Sequence, residues 1–178
     1  MAILFADIRG FTPYAEKTSP ERVVALLNEY LAAMTEEIFA QDGTVDKFMA
    51  DGVMALFGAP LDYNDATERA LRAALAMQQR FAQLKAHWSG DAAALGLGIG
   101  INTGEVVVGN LGSERKMDYT AIGDAVNLAK RLESIAERGQ ILLGEGAYRR
   151  AQAALPITEL APRQVKGKRE LCRVFAVD

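Results

Sequence analysis

The stretch TVDKFMADGVMALF, residues 44–57, contains two apolar runs separated by Ala50-Asp51-Gly52. A short turn that carries Asp-Gly between apolar runs is typical of a β-hairpin. Asp51 at the tip of such a hairpin is held rigidly and points away from the core, which suits a metal ligand. Lys47 lies on the first strand, where a lysine either protects a sheet edge from aggregation or serves a nearby site.

A second predicted strand end carries another aspartate. In ILFADIRGFT, residues 3–12, an apolar run ends at Asp7, and a turn with Gly10 follows. A single aspartate at such a position is more often a turn or capping residue. Two aspartates at two strand ends predict a pair of oxygen ligands for Mg²⁺, which takes a few carboxylates together with substrate phosphates.

Length and composition indicate one globular domain, because the chain has 178 residues, of which 50% are apolar and 24% charged. The net charge of −3 and the lack of a basic stripe argue against nucleic-acid binding. One cysteine, Cys172, excludes an internal disulfide, and one histidine, His87, expected at the surface, argues against a His-rich zinc site. No apolar run reaches about 18 residues, so we expect no membrane contact and a cytoplasmic location, with tethering to a membrane or sensor protein left open.

Two amphipathic helices are predicted. Ser19 has the features of an N-cap, and apolar residues then recur at helical spacing to Ile38. Asp65, with a glutamate three positions later, predicts a capping box for a second helix that ends near Leu84. Residues 13–20 are expected to form a loop.

The remaining strands predict the fold class. Residues 95–101 and 105–108 are expected to form a second hairpin, and the glycines at 96, 98, 100 and 104 indicate close backbone approach. Residues 110–117 are expected to be polar and mobile. Because tight hairpins require antiparallel pairs, we expect an α/β (α+β) fold, a ferredoxin-like sandwich with a mixed, mostly antiparallel sheet and helices packed against it.

A third helix is predicted within DYTAIGDAVNLAKRLESIA, residues 118–136, with Asp124 as its N-cap. Asn127 and Arg131 are four residues apart and therefore project from the same face. That face is either solvated or part of a site. The basic turn VKGK, residues 165–168, is by itself only a solvated loop.

Four motifs together resemble the catalytic domain of class III nucleotidyl cyclases. They are FADIRGFT (5–12), DKFMADGVMALFG (46–58), DYTAIGDAVNLAKRLE (118–133) and VKGK (165–168), in the family's order. The resemblance implies one catalytic domain over residues 1–178. The opening within a strand-like run leads us to expect a domain excised from a longer protein. The implied activity is that of an adenylate cyclase, a lyase that converts ATP into 3′,5′-cyclic AMP and pyrophosphate.

The resemblance assigns metal and phosphate ligands. It implies that Asp7, Asp51 and the backbone of Ile8 hold two Mg²⁺ or Mn²⁺ ions per site. The backbone of the following turn is implied to cradle phosphates, through Gly10, Phe11 and Thr12. A small departure is Ala50, where many relatives have glycine.

The resemblance also assigns the nucleotide. Lys47 matches the lysine that reads the base, and Thr120 occupies the second base-reading position. A lysine donates to adenine N1 and a threonine oxygen accepts from the 6-amino group, whereas guanine presents the reverse pattern, so this pair favours ATP. The Lys/Thr combination resembles the class IIIb branch, many members of which respond to bicarbonate, although no residue here shows such a response.

The remaining implied roles concern the ribose, the phosphates and assembly. Asn127 is implied to orient the ribose, Arg131 to stabilise charge on the α-phosphate, and Arg115 and Lys166 to contact the terminal phosphates. The resemblance implies a head-to-tail homodimer with two shared sites. One subunit would supply Asp7, Asp51 and Arg115, and the other Lys47, Thr120, Asn127, Arg131 and Lys166.

Three alternatives remain open at this point. The first is a guanylyl cyclase, and the second is a catalytically silent cyclase-like module for nucleotide binding or dimerisation. A pseudoenzyme usually lacks a metal aspartate or the Asn/Arg pair, and this sequence has both. The third is a cyclic-dinucleotide synthase, whose Gly-Gly-Asp/Glu-Glu-Phe hairpin signature is missing from the sequence.

Overall fold

The structure, a computed structural model, describes residues 1–113, 115–151, 155–164 and 171–177. Nine strands, five α-helices and one 3-10 helix, Gly90–Ala94, are assigned within these ranges. The strands are β1 Ala2–Arg9, β2 Thr44–Met49, β3 Gly52–Phe57, β4 Gly96–Thr103, β5 Val107–Ser113, β6 Lys116–Ile122, β7 Ile141–Gly144, β8 Ile157–Arg163 and β9 Cys172–Val177. The helices are α1 Phe11–Lys17, α2 Pro20–Phe39, α3 Ala66–His87, α4 Asp124–Ile135 and α5 Glu145–Tyr148. Among the described helices, none combines the length and apolar character that crossing a membrane requires.

Seven strands form one sheet in the order β2-β3-β1-β4-β7-β9-β8. Only the β4–β7 pair is parallel, so the predicted mixed, mostly antiparallel sheet is confirmed. The hairpin predicted for residues 44–57 is formed by β2 and β3.

The second predicted hairpin is wrong. Strand β4 pairs with β1 and β7, whereas β5 pairs with β6 in a separate two-stranded sheet, which we call the arm. Residues 110–113 and 116–117, expected to be irregular, lie in paired strands of this arm. The partners of β4 are distant in sequence, whereas β5 forms a hairpin with the next strand, β6.

Strand β1 is covered on both faces, which explains its continuous apolar run. The side chains of Leu4, Ala6 and Ile8 pack in the larger core with α2 and α3. Ile3 and Phe5 point to the opposite face, where they pack against α4. Because side chains alternate along a strand, Asp7 lies on the α4 face.

The close backbone approach predicted from the glycines of β4 is confirmed. A Cβ added at Gly100 would lie 2.1 Å from the backbone nitrogen of Glu133 and 2.5 Å from the carbonyl oxygen of Ala129. Helix α4 therefore rests directly on the main chain of β4.

Helix boundaries differ from expectation in their first residues. Residues 11–17 form α1 rather than a loop, and neither Ser19 nor Asp65 makes a side-chain capping bond. Asp65 instead accepts a hydrogen bond from Arg69 at 2.8 Å. Gly123 precedes α4, so Asp124 is its first helical residue rather than its cap. For Asp65, the ion pair with Arg69 competes with a capping bond for the same carboxylate.

Candidate active site

The two predicted metal aspartates lie side by side. Asp7 is opposite Gly52 in the antiparallel register of β1 and β3, and Asp51 is in the turn that precedes Gly52. The turn is tight because Ala50 has a φ of 54°, in the left-handed region. The carboxyl groups of Asp7 and Asp51 are consequently within hydrogen-bonding reach of each other.

This proximity perturbs both carboxyl groups. Burial raises the pKa of Asp7, and the neighbouring charge of Asp51 raises it further. Burial also raises the pKa of Asp51. Two partly buried carboxyls that resist simultaneous ionisation are the kind of donor pair that a divalent cation stabilises, because the cation favours the charged form of both.

Beside the Asp7–Asp51 pair, the main chain adds carbonyl oxygens and N–H groups. Successive carbonyls along a strand point to alternate sides, so the carbonyls of Ala6 and Ile8, two residues apart, point to the same side. The carbonyl of Ala6 approaches Gly52, and the carbonyl of Ile8 is therefore directed toward the Asp51 turn. The side chain of Ile8 is buried in the core. Gly10, with a φ of 86°, ends the strand, and α1 begins at Phe11. N–H groups in the first turn of a helix lack partners within that helix.

The chemistry of these donors fits Mg²⁺ or Mn²⁺. In the ranges that the structure describes, no group of three or more His, Cys, Asp or Glu residues is arranged to hold a metal ion. The protein's contribution here is therefore two carboxylates and main-chain oxygen. Such a sparse set is typical of Mg²⁺ sites that are completed by water and substrate phosphates.

A partly buried ion network, which the sequence reasoning missed, ties Asp7 to α4. Arg9 Nη1 lies 3.2 Å from Asp7 Oδ2, and Arg9 Nη2 lies 2.6 Å from Glu133 Oε1. The Glu133 side chain is 1% exposed and also pairs with Lys130. The positive charge of Lys130 opposes the rise in the pKa of Asp7 and Asp51. One signal of this network was present in the sequence: Glu133 falls on the buried stripe of α4, where a charge without a partner would be unfavourable.

The structure brings Lys47 and Thr120 together through a third residue. Asp46 Oδ2 lies 3.4 Å from Lys47 Nζ and accepts a hydrogen bond of 2.9 Å from Thr120 Oγ1. Thr120 is 5% exposed on β6, whereas the Lys47 side chain is 38% exposed on β2. Two residues that are far apart in sequence thus meet at the base of the arm.

Asn127 and Arg131 share one face of α4, as predicted, but that face points away from the sheet. The buried side of the helix is formed by Ala125, Ala129 and Leu132 together with Glu133. Asn127 is exposed and Arg131 partly exposed. Within the described part of the chain, no hydrogen bond or ion pair links either side chain to Asp7 or Asp51. One chain alone therefore does not join the predicted transition-state residues to the carboxyl pair.

The two predicted phosphate-binding cations stand apart from this arrangement. Arg115 is exposed at the turn between β5 and β6. Lys166 lies outside the described residues, so its predicted role is not tested by the structure.

Comparison with known proteins agrees with these features. A sequence model of the adenylate and guanylate cyclase catalytic domain matches residues 1–177. Adenylate cyclase 1 of Rhizobium meliloti (strain 1021) is 36% identical over 98% of this chain, which spans 27% of the length of that relative.

Solved structures show the same similarity. The adenylyl cyclase CyaB from P. aeruginosa has a TM-score of 0.94 and 36% identity, with 99% of this chain and 92% of that chain covered. The guanylyl cyclase Cya2 has a TM-score of 0.87 and 36% identity, with 99% and 90% covered. The family match over nearly every residue, together with this shared architecture, shows that the chain belongs to the adenylate and guanylate cyclase catalytic domain family.

Proposed function

We propose that this chain is an adenylyl cyclase, which converts ATP into 3′,5′-cyclic AMP and pyrophosphate in the cytoplasm. The observation that supports the proposal is the adjacent carboxyl pair of Asp7 and Asp51, where burial raises the pKa of both groups and a divalent cation would favour their charged forms. The ribose 3′-hydroxyl gives up its proton to solvent as its oxygen bonds to the α-phosphorus, and the bond from that phosphorus to the bridging oxygen breaks, which releases pyrophosphate.

Asp7, Asp51 and the Ile8 carbonyl would hold the metal ions. Two bound divalent ions would lower the pKa of the 3′-hydroxyl and neutralise charge on the triphosphate. The N–H groups at the start of α1, in the segment that holds Gly10, Phe11 and Thr12, would bind phosphate oxygens, since a helix N-terminus favours anions.

The choice of ATP is supported by the Lys47–Thr120 arrangement. Lys47 carries donors for adenine N1, and the hydroxyl oxygen of Thr120 can accept from the 6-amino group. Beyond the base, Asn127 would orient the ribose and Arg131 would stabilise negative charge on the α-phosphate. Arg115 and Lys166 would bind the departing pyrophosphate. Loss of one preorganised donor of this kind typically lowers the rate by about 10²–10³-fold.

We further propose that two chains form a head-to-tail homodimer with shared sites. The outward orientation of Asn127 and Arg131 supports this assembly, because those side chains face away from their own carboxyl pair and would be available to the site of a partner. The arm supports it as well, since it carries a row of apolar side chains that are 49% to 75% exposed: Val107, Leu111, Met117, Tyr119 and Ile122. An exposed apolar surface of this kind is typical of an interface.

A mixing experiment tests the shared site. Asp51→Ala and Arg131→Ala should each be nearly inactive, but an equal mixture should recover about a quarter of the wild-type specific activity. Half of randomly paired dimers are hybrids, and each hybrid has one of its two sites free of both substitutions. The matched control is a mixture of Asp51→Ala with Asp7→Ala, which must stay inactive because both changes damage the same half-site. An inactive first mixture, with hybrid dimers demonstrated by mass spectrometry, would refute the shared site.

Guanylyl cyclase is the competing function, because Cya2 shares as much sequence identity with the chain as CyaB does. Product formation from ATP and from GTP, each with Mg²⁺ or Mn²⁺ at several protein concentrations, decides between them. Faster turnover of GTP would overturn our assignment, and Lys47→Glu with Thr120→Cys should shift a genuine ATP preference toward GTP. No product from either nucleotide, from a folded dimer, would favour a silent module. The same assay at fixed pH, with and without bicarbonate, tests whether bicarbonate activates the chain.

A further inference from the structure

Asp46 is a buried carboxylate in an irregular part of β2. The register between β2 and β3 shifts between Val45 and Lys47, so Asp46 is the extra residue of a β-bulge. Its side chain is 1% exposed, although neighbouring Lys47 is 38% exposed. A bulge places consecutive side chains on one side of a strand, and here it directs the carboxylate of Asp46 toward β6.

The carboxylate of Asp46 contacts both predicted base-reading residues. Its Oδ2 accepts the hydrogen bond from Thr120 Oγ1 at 2.9 Å and lies 3.4 Å from Lys47 Nζ. Its Oδ1 is buried and has no hydrogen-bond partner among the described residues. A buried acceptor left without a partner costs free energy, so packing alone does not account for an aspartate at this position.

The contact with Thr120 fixes the hydrogen-bonding character of the hydroxyl. A threonine hydroxyl can donate one hydrogen bond and accept others, so by itself it tolerates both a donor and an acceptor. Once its proton is directed to Asp46, Thr120 Oγ1 has only lone pairs to present. It then attracts the 6-amino group of adenine and repels the O6 acceptor of guanine.

We propose that Asp46 is a positioning residue for purine selection, which makes Thr120 an obligate acceptor and holds the Lys47 ammonium beside it as a donor. The pair then presents one acceptor and one donor in the order that matches adenine and mismatches guanine. This inference rests on the proposed function, because it requires Lys47 and Thr120 to contact the base.

Asp46→Asn is the decisive change, because it keeps the size of the side chain and removes its charge. An amide presents an NH₂ donor as well as an oxygen acceptor, so Thr120 is no longer an obligate acceptor and its hydroxyl can donate to guanine O6. We expect the ratio of kcat/KM for ATP to that for GTP to fall about 10-fold, the effect of one lost discriminating hydrogen bond. The ratio is measured on one protein preparation, so a smaller folded fraction lowers both values equally and cancels.

The wild-type chain is assayed first, so that the two proposals fail separately. If the wild type makes no product or prefers GTP, the proposed function is wrong. If the wild type prefers ATP and Asp46→Asn keeps the same ratio, the role of Asp46 is refuted and the adenylyl cyclase remains. Asp46→Ser carries the same prediction, so the test stands if the asparagine variant fails to fold.

A double-mutant cycle separates selection from a structural role. In a Thr120→Val background the hydroxyl is gone, so adding Asp46→Asn should leave only the smaller change that acts through Lys47. An equally large fall in the ratio with and without the hydroxyl would overturn the proposal. Asp42→Asn is the matched control, because Asp42 is an exposed aspartate two residues before β2 and should leave the ratio unchanged.

Discussion

The contact between α4 and β4 predicts a large effect from a single methyl group. In Gly100→Ala the new Cβ would lie 2.1 Å from the backbone nitrogen of Glu133, more than 1 Å inside ordinary van der Waals contact, which begins near 3.4 Å. The obstacle is main chain, so it has no rotamer by which to move aside, and the whole helix must retreat. Overpacking of a core costs about 1–3 kcal/mol, and we expect about 3 kcal/mol because backbone meets backbone.

Displacement of α4 would also affect the proposed chemistry, because α4 carries Asn127 and Arg131. A misplacement of roughly 1 Å can lower a rate about 10²-fold. The assay is urea unfolding followed by circular dichroism, at a protein concentration at which the wild type is monomeric, together with cyclase activity under folded conditions. Gly109→Ala is the matched control, since an added Cβ there meets nothing within 4 Å. A free energy of unfolding for Gly100→Ala within about 0.5 kcal/mol of the wild type, the range of neutral substitutions, would refute the packing described for α4.

Substitutions at Ala50, Asp51 and Glu133 have expected effects on the free energy of unfolding, and a control substitution accompanies the first and the last. Ala50→Gly should stabilise the chain by about 0.5–1 kcal/mol, because Ala50 has a left-handed backbone conformation that glycine adopts without strain. The control is Ala32→Gly in the middle of α2, which should lower the free energy of unfolding by about 1 kcal/mol. Burial raises the pKa of Asp51 above its ordinary 3.8, so ionisation costs stability as pH rises from 3.8 through the raised value. Asp51→Asn should therefore stabilise the metal-free chain at neutral pH and flatten its pH dependence; a neutral-pH loss of stability would contradict this. Glu133→Gln should cost about 1–3 kcal/mol by weakening charged hydrogen bonds to Arg9 and Lys130, which are themselves partly exposed, whereas exposed Glu137→Gln should change little; equal effects would count against the network.

Local signals in the sequence were sufficient for the β2–β3 hairpin, whereas the contact of Asp7 with Asp51 depends on the pairing of β1 with β3, which are not consecutive in the chain. An Asp-Gly turn between apolar runs specifies its own partner, because the two strands are adjacent in the chain. The partner of β4 was not predictable in this way. Its neighbours β1 and β7 are distant in sequence, and the Asn102-Thr103 segment, which resembles a turn, belongs to the end of the strand.

The ion network and Asp46 were missed for a different reason. Asp46 stands next to Lys47 in an alternating strand, where consecutive side chains normally face opposite sides. Only the bulge, which depends on the pairing of β2 with β3, places the Asp46 carboxylate in contact with both Lys47 and Thr120. Glu133 has a local partner in Lys130, but its contact with Arg9 was not predictable, because Arg9 belongs to a strand more than a hundred residues away.

Several features of the site cost stability in the isolated chain, and their location is informative. Asp7 and Asp51 hold like-charged groups together, and Asp46 leaves one buried oxygen without a partner in the described structure. Residues that supported only the fold would avoid these costs, since an amide fills the same space without the charge. Unfavourable local features of this kind concentrate where a ligand repays them. A divalent cation would repay the first cost, and the second accompanies the proposed role of Asp46 in selecting the purine, so the two costs lie in the two halves of one proposed nucleotide site.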